Sequence, residues 1–102
     1  MGKGLKIIEG RFKVKISRKK YEEEAIQHAI KMKDIPGLVW KIWAFDEEKS
    51  EAMGIYYFRD DDMAQLVFDS MDPRTWPDFT YDIEMRIWDI QEELCKINRV
   101  PL

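Results

Sequence analysis

Residues 37–58, GLVWKIWAFDEEKSEAMGIYYF, leave few folds open to the chain. Two runs rich in aromatic and β-branched residues flank Asp46-Glu47-Glu48-Lys49-Ser50, a polar connector of the length that joins antiparallel strands. The stretch therefore reads as a β-hairpin, with Pro36-Gly37 marking its start. Alternation along the first strand sets Leu38, Trp40, Ile42 and Ala44 on one face and Val39, Lys41, Trp43 and Phe45 on the other. In the return strand Met53, Ile55 and Tyr57 oppose Gly54, Tyr56 and Phe58. Both faces are largely apolar. A strand covered on one side only alternates more sharply, so two layers must cover this hairpin.

The remaining elements follow from periodicity. Residues 5–16 alternate in two phases around Gly10, which predicts one strand with a bulge or bend near that glycine. Ser17 is the expected N-cap of a helix running to about Lys33, with Tyr21, Ala25, Ile26, Ala29, Ile30 and Met32 forming its apolar arc. Asp60, Asp61 and Asp62 cap a second helix with the stripe Met63, Leu66, Val67 and Met71, and Asp62 can form a capping box with Gln65. Capping accounts for the three aspartates without a metal, since adjacent residues on a helix point in different directions. A loop over residues 73–79 carries two prolines, Trp76 and Phe79, and is suited to cover a pocket mouth. The last strand, residues 80–90, sets Tyr81, Ile83, Met85 and Ile87 against Asp82, Glu84, Arg86 and Trp88.

This βαββαβ order predicts an α+β, ferredoxin-like fold for the single domain of 102 residues: a four-stranded antiparallel sheet with both helices on one face. The opposite face is then bare. It is expected to show Trp43, Phe45 and Trp88, with Lys41 and Arg86 among its charges, and to pair with a second copy as a homodimer. Residues 91–102 contain Leu94, Ile97 and Val100, too apolar to float free, and are expected to dock on the partner subunit.

Composition excludes several classes of function. At a net charge of −3 with no sustained basic face, neither nucleic acid nor an anionic membrane is expected as a partner. Cys95 is the sole cysteine, which removes intrachain disulfides and thiolate metal clusters and suits a reducing, cytoplasmic setting. Met1-Gly2-Lys3-Gly4-Leu5 lacks an apolar leader core, and no apolar run approaches the roughly 18 residues that span a bilayer. Glycine-rich phosphate loops, nucleophile elbows and HExxH motifs are absent.

Residues 37–43, the acidic turn and Glu51-Ala52-Met53-Gly54-Ile55-Tyr56-Tyr57-Phe58 resemble the YdhR-like family of mono-oxygenases, within the dimeric α/β-barrel superfamily. The ending Trp88-Asp89-Ile90-Gln91-Glu92-Glu93-Leu94-Cys95-Lys96-Ile97-Asn98 is similar to that family's closing segment. The resemblance implies a dimer whose two sheets form a barrel, and a pocket between sheet and helices. Among better understood relatives are cofactor-free oxygenases of aromatic polyketides, in which an ionised substrate itself reduces dioxygen. Haem-degrading relatives use an Asn, Trp and His constellation. With Asn98 in the tail and His28 in the first helix, this chain departs from that pattern.

His28, the only histidine, lies at the edge of the helix stripe beside Tyr21 and Met32 and is the candidate general base; a partly exposed helix histidine is the plainer reading. Tyr56 is the candidate for placing a substrate oxygen, and Trp40, Tyr57, Met85 and Trp76 are the expected substrate-binding residues, although strand aromatics are usually core. Hairpin register decides which tyrosine faces the pocket. The reading is a cofactor-independent mono-oxygenase acting on a small aromatic or enolisable molecule, with no metal or cofactor. Its rivals are a proton-transfer isomerase and a non-catalytic ligand-binding or stress protein.

Overall fold

The computed structural model describes residues 4–102, so the start of the N-terminal stretch read above for a leader, residues 1–3, lies outside the described residues. Strands β1 (Lys6–Val14), β2 (Leu38–Asp46), β3 (Glu51–Phe58) and β4 (Thr80–Asp89) form one antiparallel sheet in the order β2-β3-β1-β4. Helix α1 (Arg18–Met32) follows β1 and α2 (Asp61–Ser70) follows β3, which is the predicted ferredoxin-like order. A 3-10 turn, Pro73–Thr75, lies in the loop before β4, and the apolar tail folds into a third helix, α3 (Glu92–Ile97). None of the described helices is long and apolar enough to cross a membrane.

Helix starts follow local chemistry. Ser17 caps α1 as expected, its Oγ accepting from Lys20 N at 3.2 Å. On α2 the cap is Asp60, not Asp62: its Oδ1 accepts from Met63 N at 3.1 Å, while the Gln65 amide turns away and donates to Asp69. Gly37 joins α1 to β2 at φ +82°, and a Cβ there would lie 3.0 Å from that of Met63. Backbone conformation and space both demand glycine at that turn.

Two clusters hold the helices to the sheet. Ile8, Tyr56 and Phe58 of the sheet are buried with Ala64 of α2, and Val14 and Ala52 with Tyr21 at the start of α1. The predicted arc of α1 is wider than the contact it makes, because Ile26 and Ile30 are 59% and 57% exposed. Tyr21 is the residue of this helix that is buried. Between the two clusters α1 stands off from the sheet.

Register explains the gap. In the β1–β3 ladder Gly10 lies opposite Gly54, and the row continues outward to Met85 on β4 and Trp43 on β2. Two glycines side by side leave the middle of the sheet without side chains on its helical face. The irregularity expected near Gly10 lies between Arg11 and Lys13, where β4 inserts an extra residue near Asp82, itself at φ +51°. A second irregularity separates Leu38, opposite Phe58, from Trp40, opposite Tyr57. Leu38 thereby packs under the helices while Trp40 faces the other way.

Candidate functional site

A cavity of about 260 Å3 occupies the gap between α1 and the sheet. Gly10 and Gly54 form its floor, Ala25, His28 and Met32 of α1 its roof, and Phe12, Tyr21, Lys41, Trp43 and Tyr56 its walls. Trp76, Pro77 and Phe79, from the loop before β4, line one side. Trp76 is held edge-on to Phe12, with ring centroids 5.3 Å apart.

Lys41 is the cation of this cavity. Its stem crosses Gly54, where a Cβ would come within 2.9 Å of Lys41 Cε, so that glycine makes room for the lysine. The Nζ lies 3.3 Å from the centroid of the Trp43 ring, donates to Tyr56 Oη at 3.0 Å and reaches Met32 Sδ at 3.2 Å. It also sits 4.3 Å from the centroid of the Tyr56 ring. These neighbours are aromatic, hydroxyl and thioether groups, none of them a carboxylate. Burial therefore pushes the amine down to about 7, because the charged form loses its water without gaining a counter-ion. The same burial pushes the phenols of Tyr56 and Tyr21 up to about 12, keeping both as donors at neutral pH. An amine that exchanges protons near neutrality, beside a phenol that holds its own, suits proton transfer to and from an organic substrate.

The structure brings together His28, Tyr56 and Trp76 of the predicted site residues. His28 lies at the α1 edge of the cavity and is exposed. Met85 sits beside the floor, its Sδ against Gly10, and packs into the cluster under α2. Trp40 and Tyr57 are a correction to the expected pocket: they face the opposite side of the sheet, their rings tilted against one another with centroids 4.9 Å apart. Trp40 Nε1 donates to Pro101 O at 3.3 Å, so the tail lies over its own sheet there.

Lys41, Trp43 and Phe45 are the reverse correction. Expected on the bare face, they pair with Tyr56, Gly54 and Ala52 and point under the helices. Phe45 joins the cluster at the start of α1, 5.4 Å from the Tyr21 ring. Large side chains on β2 fit inward because their neighbours on β3 are Gly54 and Ala52. Arg86 and Trp88 do lie on the bare face, Arg86 stacked 3.9 Å over the Trp88 ring and Trp88 Nε1 donating to Glu9 at 3.1 Å. Lys41 and the glycine floor are what sequence reasoning missed. A glycine inside each of two predicted strands, and a lysine within an apolar one, were the signals that could have found them.

No curated protein sequence matches the chain. SnoaB, a cofactor-independent oxygenase from Streptomyces nogalater, shares the fold at a TM-score of 0.66 and 15% identity, over 86% of this chain and 94% of that one. A protein from Shewanella oneidensis does so at a TM-score of 0.64 and 9% identity, over 86% and 92%. The model of one family, "Putative mono-oxygenase ydhR", matches residues 7–101, nearly the whole described chain and every element that builds the cavity; the chain belongs to that family.

Proposed function

We propose that this chain is a cofactor-independent mono-oxygenase that ionises a small aromatic or enolisable substrate in the cavity beneath α1. The observation that carries the reading is Lys41: an amine held inside an aromatic pocket without a carboxylate, its pKa near 7. Neutral Lys41 takes the proton of a phenol, or of a C–H bond next to a carbonyl, and the resulting ammonium stays beside the new anion. The anion reduces dioxygen and combines with it to form a C–O bond. Loss of water from the peroxide then converts CH2 and O2 into C=O and H2O, all four electrons coming from the substrate. Tyr56, whose phenol holds its proton, donates to the departing oxygen. Membership of a mono-oxygenase family and the fold shared with SnoaB, a cofactor-independent oxygenase, support this reading.

Oxygen uptake with a panel of hydroxylated polycyclic and enolisable compounds tests the reading. Lys41→Met, which keeps the stem and deletes the amine, should lower kcat by at least about a hundredfold. Binding without uptake leaves a ligand-binding protein. Anaerobic proton exchange without uptake leaves an isomerase.

The second layer over the sheet is a second copy of the chain. Ile42 and Trp88 on the bare face are 49% and 39% exposed, an apolar surface that a homodimer would cover. Light scattering at micromolar concentration should give twice the chain mass, and Trp88→Glu should return it to the monomer value. A lone thiol at Cys95 suits a reducing, cytoplasmic setting.

A further inference from the structure

We propose that Lys41 also captures aromatic aldehydes and ketones as a Schiff base, so that the cavity is a carbonyl-condensing site beyond its oxygenase role. Geometry supports this in three ways. The Nζ lines a partly open cavity walled by flat rings, Trp43, Tyr56 and Trp76 among them, that suits an arene in polarity. Its attacking position is set by the stem lying over Gly54 and by the Trp43 face beneath it. Tyr56 Oη, 3.0 Å away, stands where a carbonyl oxygen would need a proton.

The step balances without any further reagent. The Nζ lone pair forms the C–N bond while the carbonyl π pair moves to oxygen, which takes the Tyr56 proton. The nitrogen returns a proton to the phenolate, giving a carbinolamine. Nitrogen then expels the hydroxyl, which leaves as water with the Tyr56 proton, and the iminium proton restores the phenol. One carbonyl and one amine yield one imine and one water. The other titratable groups lining this cavity are Tyr21 and His28, neither of them an acid that would hold Nζ as a permanent ammonium. Burial also leaves much of the amine free at neutral pH, unlike exposed lysines.

Incubation of the folded protein with 2-naphthaldehyde and cyanoborohydride near neutral pH, followed by peptide mass mapping, tests the proposal. A naphthylmethyl adduct should form on Lys41 about a hundredfold faster than on any exposed lysine. Lys41→Arg should remove that adduct, and Tyr56→Phe should slow it about tenfold while leaving its position unchanged. Adducts spread evenly over surface lysines, or an unmodified Lys41, would overturn it. Labelling is read with air excluded, so its failure is separate from a failure of oxygen uptake.

Discussion

One sheet carries the same pairing twice, on opposite sides. Lys41 lies over Trp43 at 3.3 Å beneath α1, and Arg86 lies over Trp88 at 3.9 Å on the bare face. Both are cation–π contacts, yet they do different things. Arg86 is exposed, in a row where Trp88 bonds to Glu9 and Arg11 pairs with Glu9 and Glu84. A guanidinium keeps its charge in almost any setting, so that side stays charged. Lys41 lacks such carboxylates and has an ammonium that burial can discharge. Shelter, together with the choice of lysine, gives one motif an amine that burial can discharge and leaves the other a permanently charged, exposed guanidinium.

The largest effect that could break this contrast is on turnover. Lys41→Met and Arg86→Met should differ by at least about a hundredfold in oxygen uptake, the second staying within about twofold of the parent protein. Trp40→Ala, across the sheet from the cavity, should behave like the second. Equal losses from both faces would erase the distinction.

A smaller effect is read in stability against pH. Below about 7 Lys41 is protonated both folded and unfolded, so the cost of its buried charge is carried in full. As pH rises from about 7 toward 10 the unfolded chain still holds that proton and the folded one does not, so stability increases with pH. Chemical denaturation should show the parent protein gaining on the order of 2 kcal/mol relative to Lys41→Met between pH 6 and 9. Arg86→Met should produce no such slope.

The neighbouring tyrosines sharpen the comparison most finely. Tyr57 Oη is buried without a hydrogen-bond partner, whereas Tyr56 Oη accepts from Lys41. Tyr57→Phe should leave stability unchanged or raise it by about 1 kcal/mol, while Tyr56→Phe should lower it by a similar amount, both by denaturant titration. Reversed signs would mean that the two faces have been exchanged.

Legibility from sequence varied with how local the cause was. Ser17 as a cap, the hairpin and the loop carrying Trp76 were readable because each is decided by residues close together in the chain. Asp60 rather than Asp62 capped α2, a shift of half a turn that three consecutive aspartates could not resolve. Trp40 was placed wrongly because an irregularity after Leu38 puts residues two apart on opposite faces. Trp43 and Phe45 were placed wrongly because an apolar pattern on both faces does not say which face the helices take. Tyr56, His28 and Trp76 line the cavity, and the lysine beside them reads from sequence as an interface charge.

Taken alone, the sequence determined the element order and the ferredoxin-like class, since side-chain periodicity and turn chemistry act over a few residues. Only the tertiary structure decided where the cavity lies. Gly10 and Gly54 are far apart in the chain, and they make a floor only because β1–β3 pairing sets them side by side and β2 then lays Lys41 over the gap. Alternation gives relative phase within one strand. The face that becomes a pocket is chosen by register between strands.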